Sequence, residues 1–118
     1  MKQPAMLFYP GDWMKDPELR RCSPAARGVW MDIICLSFEC CERGYLISNG
    51  NPWSDDDIVS AISGDKSGVR KGLTELLAKG VASRDKRGAV CCRRVARDAE
   101  ISRKRAIAGA KGGKRSGI

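Results

Sequence analysis

Histidine is missing altogether from this chain of 118 residues. That removes the side chain most used as a general base at neutral pH. No apolar run reaches the roughly 18 residues that a membrane-crossing helix needs. The opening stretch, MKQPAMLFYPGDW, carries one Lys and then Pro, Tyr and Pro. It lacks the apolar block of a secretory signal, so the expected location is the cytoplasm. No Gly-rich loop follows a strand, since Gly109–Gly113 lies in a different context, and a phosphate-cradling loop is not expected. No nucleophile stands in a recognisable pairing with a base. An enzyme is therefore the least favoured class.

Cysteine is present six times, as Cys22, Cys35, Cys40, Cys41, Cys91 and Cys92. Four of these form adjacent pairs, which do not supply the two- to four-residue gap usual between zinc thiolates. The expectation is reduced thiols, mostly in the core or half-buried, with no metal and no cofactor.

What the chain has in excess is positive charge, a formal net of +8. The excess is placed unevenly. From Arg84 to Ile118 there are twelve Lys/Arg against three Asp/Glu; from Met1 to Ser83 there are ten against eleven. A basic arm on a near-neutral body points to a polyanion, most often nucleic acid. The length suits one domain with a real core.

Local signals order the elements. Leu7–Tyr9 reads as a short extended stretch closed by a turn at Pro10-Gly11. Asp16-Pro17 reads as a helix cap with proline at the first helical position, followed by one turn through Glu18–Arg21. Ser23-Pro24 repeats that start. Ala25 to Arg43 then spaces Trp30, Ile33, Ile34, Ser37, Phe38 and Cys41 at three and four residues, the period of a helix. Gly44 is its expected left-handed stop. Trp30 in this stripe reads as a core anchor. Tyr45–Ile47 reads as a strand and Ser48–Pro52 as a loop. Ser54 before Asp55, Asp56 and Asp57 opens a second helix, the acids favouring the positive end of its dipole. Consecutive acids point around a helix rather than converge, so a catalytic cluster is disfavoured.

After a turn at Ser63–Gly68, Val69, Leu73, Leu76 and Leu77 make the apolar stripe of a third helix ending near Lys79. Arg70, Lys71 and Thr74 fall on its other side. Val81–Arg84 and Ala89–Arg93 flank Asp85–Gly88 as a hairpin with Lys86 and Arg87 at its tip. A last charged helix is expected over Val95–Ala108. Ala110–Gly117, half Gly and Ser, is expected to be disordered.

Helix, short strand, helix, turn, helix and hairpin is the winged-helix order. The expected fold is thus mainly α with a small β-hairpin, α+β, as a winged helix-turn-helix over residues 1–94. Residues 95–118 would form a basic helix and flexible tail. The second helix of such a pair enters the major groove. Ser67, Arg70, Lys71 and Thr74 are the candidate readers, because Arg pairs with guanine and Ser or Thr with base or phosphate. Arg84, Lys86, Arg87, Arg93 and Arg94 would touch phosphates from the wing. Arg103, Lys104, Arg105, Lys111, Lys114 and Arg115 would do so from the tail.

FYPGDW at Phe8–Trp13, SPAARGVWMDIICLSFE at Ser23–Glu39, GYL at Gly44–Leu46, KGVASRDKRGAV at Lys79–Val90 and the run RRVARDAEISRKRAIAGAKGGK together resemble the YdaU-like family of prophage proteins. Members of that family resemble N-terminal domains of phage replication initiators. The resemblance covers Phe8 to Lys114. It implies a winged helix and a role in starting phage DNA replication inside a bacterial cell. It also implies a host helicase or loader as partner, through a C-terminal part beyond the resemblance, which this chain either lacks or, as a fragment of a longer protein, does not include. Double-stranded DNA is the expected ligand. A phage transcriptional repressor and a protein-binding adaptor are the competing readings, and Ala25–Arg43 is the helix available for a homodimer.

Overall fold

The computed structural model describes residues 5–116, with side chains from 5 to 109. It is mostly helical with two small antiparallel hairpins, an α+β arrangement. The order is α1 Pro10–Lys15, α2 Pro17–Arg20, α3 Pro24–Glu39, β1 Ile47–Ser48, β2 Asn51–Pro52, α4 Asp55–Ile62, α5 Lys66–Ala78, β3 Ser83–Arg84, β4 Val90–Cys91 and α6 Arg93–Ser116. No helix among the described residues is long and apolar enough to cross a membrane.

Caps set most of the helix starts. The Asp16 carboxylate accepts from the Leu19 amide at 3.2 Å and begins α2. The Ser23 hydroxyl accepts from Ala26 at 3.1 Å and begins α3. Ser54 and Asp57 form a reciprocal capping box, each side chain accepting from the other's amide, at 3.1 and 3.0 Å. Two orphan donors of α4 are thereby satisfied at once. Pro10 is the first residue of α1 rather than part of a turn. Its fixed φ and missing N–H suit that position.

The core is built where α3 meets α5. Ala26, Val29, Trp30 and Ile33 of α3 and Val69, Leu73 and Leu76 of α5 are buried together with Leu19, Leu46, Ile58 and Val90. The two helices come unusually close at Gly72. A Cβ there would lie 2.9 Å from a Val29 methyl and 3.5 Å from the Ala26 Cα. At one end of this contact the Ser23 amide and hydroxyl both donate to the Glu75 carboxylate, the hydroxyl at 2.9 Å. These bonds hold Glu75 below its ordinary pKa. One side chain of α5 thus caps α3 from outside.

Helix α3 stops at Glu39, four residues before the expected end. Cys40 is extended, and the Ser37 carbonyl takes its amide bonds from Cys40 and Gly44 instead of continuing the ladder. Gly44 has φ +96° and its amide closes the turn on Ser37 at 3.0 Å. Residues 44–46 then lie along the second hairpin. Tyr45 bridges Cys91, Leu46 donates to the Val90 carbonyl at 2.9 Å, and Cys92 donates to the Gly44 carbonyl at 2.7 Å.

Residues 48–52, expected as a loop, hold a hairpin in which Ile47 faces Pro52 and Ser48 faces Asn51. Asn49 and Gly50 both have positive φ, which is what a two-residue type I′ turn requires. In the second hairpin Ser83 faces Cys91 and Arg84 faces Val90. Helix α6 begins two residues earlier than expected and continues to Ser116, through the segment expected to be disordered. Extending an existing helix adds a hydrogen bond per residue without a new nucleation cost, and Ala, Lys and Arg favour it. All six thiols are free; Cys22, Cys91 and Cys92 are buried and Cys40 is half-buried, but Cys35 and Cys41 are exposed on the outer side of α3 and the turn after it. Burial raises the thiol pKa of Cys22, Cys40 and Cys92.

Gly44 supplies the test of this frame. A Cβ there would stand 2.5 Å from the Ala96 backbone nitrogen, in a backbone region closed to most L residues. Gly44→Ala should destabilise the protein by about 2 kcal/mol or more in a urea unfolding curve. An unchanged midpoint would mean that α6 does not dock against this turn.

Candidate nucleic-acid interface

Helix α5 turns one side inward and the other outward. Val69, Gly72, Leu73 and Leu76 are buried, whereas Ser67, Arg70, Lys71 and Thr74 are exposed. The outward residues are spaced three and four apart and share a face. The helix starts at Lys66, three residues before the expected Val69, which places Ser67 in its first turn. Asp65 takes the N-cap position; a cap residue just ahead of Lys66 was the sequence signal for the earlier start. Lys66 is therefore a further exposed cation of the same helix that the sequence pattern did not single out. The Thr74 hydroxyl donates to the Arg70 carbonyl at 3.0 Å, leaving its oxygen free to accept.

The acids opening α4 do more than cap it. Asp56 pairs with Arg70, and Asp55 pairs with Arg84 at 2.9 Å. Arg84 also donates to the Gly88 carbonyl at 3.3 Å. The first turn of α4 therefore gathers one arginine from α5 and one from the hairpin. Both pairs are solvent-exposed, so each contributes little and exchanges readily for another anion.

The hairpin turn is organised by Asp85. Its carboxylate accepts from the Arg87 amide at 2.9 Å and the Ala89 amide at 3.0 Å, and the Gly88 amide donates to the Asp85 carbonyl at 3.0 Å. Arg87 does not stand free at the tip. It donates to Asp85 and to Glu42, the latter at 2.9 Å, and lies over the Tyr45 ring at 5.3 Å. The Glu42 hydrogen bond, followed by that of Asp85, raises its pKa further above the ordinary arginine value. Lys86 remains as the exposed cation of the turn, without an acidic partner among the described residues.

The predicted cations of α6 divide in the same way. Arg94 pairs with Asp12 at 2.7 Å and lies over the Tyr9 ring, and that hydrogen bond raises its pKa. Lys104 makes a loose contact with Glu100 one turn before it, at 3.5 Å. Arg93, Arg103 and Arg105 are exposed, with no acidic partner among the described residues, and so is Arg97, which sequence reading passed over although it lies one turn from Arg93. The side chains of Lys111, Lys114 and Arg115 lie outside the described residues. Arg70 and Arg84 thus meet at α4, whereas Arg87 belongs to the Glu42–Tyr45 side, where Arg103 lines a shared groove. No family model, no curated protein and no solved structure matches the chain.

Asp85 makes the turn sensitive to acid. Burial alone would raise its pKa, but the hydrogen bonds from the Arg87 side chain and the Ala89 and Arg87 amides outweigh this and lower it. A lowered carboxylate contributes stability that is complete above the unfolded value, about 3.9, and is lost as pH falls through the folded one. The urea midpoint of the wild type should therefore drop more steeply than that of Asp85→Asn between about pH 5 and pH 2. Parallel curves across that window would exclude the coupling.

Proposed function

We propose that the chain is a winged-helix DNA-binding module of a phage-type replication initiation protein. One observation carries this reading: the outer side of α5 is polar and cationic from Lys66 to Thr74, while the opposite side is spent on the core. In that reading α4 and α5 are the helix-turn-helix, and α5 lies in the major groove with Ser67, Arg70, Lys71 and Thr74 toward base edges and phosphates. The β3–β4 hairpin is the wing, with 44–46 as the strand that supports it. Lys86 meets phosphate from the wing. The exposed cations of α6 supply sequence-independent attraction. Arg70 and Arg84 exchange their carboxylates for phosphate on binding, which the exposure of both pairs permits. Replication, rather than another DNA function, rests on the resemblance carried by FYPGDW and the motifs after it.

A second reading has a specific observation behind it. Arg70, Arg84, Arg87 and Arg94 all meet a carboxylate within the chain. Arginines whose charges are already matched suit a protein partner, such as a helicase or its loader, better than bare phosphate.

Duplex binding at several salt concentrations separates the two. Lys71→Ala and Lys86→Ala should each weaken binding and reduce the log–log salt slope by about 0.9. Asp56→Asn should tighten binding, because it removes both a repulsive charge and the competitor for Arg70. Arg87→Ala should change the slope least. Absence of duplex binding at low salt would leave the protein-partner reading in possession.

A further inference from the structure

Among the described residues four arginines pair with a carboxylate, and they spend their donors differently. Arg87 uses Nε, Nη1 and Nη2 on Asp85 and Glu42. Arg84 gives Nη2 to Asp55 and Nη1 to the Gly88 carbonyl. Arg94 gives Nη1 to Asp12 and lays its guanidinium over the Tyr9 ring. Arg70 gives one nitrogen, Nη2, to one oxygen of Asp56. Among the described residues its Nε and Nη1 donate to nothing else, and the second Asp56 oxygen accepts from nothing else.

The place of this pair matters as much as its geometry. Arg70 stands in the second turn of α5, on the outward side, with its side chain 49 % exposed. Asp56 reaches it from the first turn of α4 and is 84 % exposed. The α4 cap does not need Asp56, because Ser54 and Asp57 make it. The two side chains therefore offer free donors and a free acceptor next to one another, open to solvent.

A paired guanidinium also behaves differently from a bare one. Its charge is cancelled locally, so a phosphate gains little from it unless the carboxylate is displaced. Its remaining N–H groups still donate. Pairing thus weakens attraction to the backbone, which every sequence shares, more than hydrogen bonding to a base edge.

We infer that Asp56 and Arg70 act together as the reader of one G·C pair, Arg70 on the guanine and Asp56 on the cytosine. In the major groove a G·C pair shows two guanine acceptors, N7 and O6, and beside them the cytosine N4 amino donor. Arg70 donates to the first two, and the free Asp56 oxygen accepts from the third. An A·T pair shows acceptor, donor and acceptor in the same places, so an Arg70 donor faces the adenine amino group and the match is lost. Exchange of Asp56 for phosphate serves binding at any sequence; at a G·C pair the two side chains stay together. Asp56 is then a specificity-determining residue that lowers affinity. The inference rests on α5 entering the major groove, and adds the base pair that its early turns select.

The experiment compares three alternating duplexes of equal length, G·C, I·C and A·T, by fluorescence anisotropy at fixed salt. Inosine keeps the N7 and O6 of guanine in the major groove and lacks its minor-groove amino group. The wild type should bind G·C and I·C alike, and both about tenfold more tightly than A·T. Asp56→Ala should bind all three more tightly and cut that ratio to about threefold or less, because phosphate then competes freely for Arg70. Arg70→Ala should abolish the ratio. Lys71→Ala should lower every affinity and leave the ratio as it is. Duplex binding with no preference for I·C over A·T would overturn the inference and leave α5 as a binder of the backbone. So would a preference that Asp56→Ala does not change, since Arg70 would then read alone. Absence of any duplex binding would remove the DNA reading itself, and this inference with it.

Discussion

The outer side of α5 is positioned by its contact with α3. Gly72 lets the backbones approach until Val29 and Ala26 lie against it, and the Glu75 carboxylate ties α5 to the first turn of α3. A larger side chain at 72 would separate the helices and rotate the outer side of α5 relative to everything else. Because α5 has only one apolar stripe, burying it against α3 leaves a single possible outward set, the polar side that includes Arg70 and Lys71. Packing and presentation are here one decision.

Electrostatics then divides the positive charge into two populations. Four arginines are matched: Arg70 and Arg84 by the acids opening α4, Arg87 by Glu42 and Asp85, Arg94 by Asp12. Those on the exposed length of α6 are largely unmatched. The matched group orients elements against one another and yields to a competing anion only by exchange. The unmatched group is available at once, and its long reach makes it the source of any long-range attraction.

The segment around α1 and the start of α6 meet on one side of the core. The N-terminal aromatic segment packs loosely over Leu19 and Trp30, and the start of α6 closes over it through Arg94. Burial there is incomplete, which separates this region from the close-packed centre.

Much of the architecture was legible in the residues. Ser23-Pro24, Ser54 with Asp57, and the stripes of α3 and α5 announced helices that the structure contains, because caps and 3.6-residue periodicity are local in sequence. Asn49-Gly50 was an equally local signal for the first hairpin, obscured by reading its polar flanks as loop. Exposure of Ser67, Arg70, Lys71 and Thr74 also follows from periodicity, since they oppose the buried stripe. Only the tertiary structure decided which cations are free. Asp56 is fourteen residues from Arg70, Asp55 twenty-nine from Arg84, Glu42 forty-five from Arg87 and Asp12 eighty-two from Arg94. Composition counts charges, but neutralisation depends on distance in space, and no local pattern carries separations of that length.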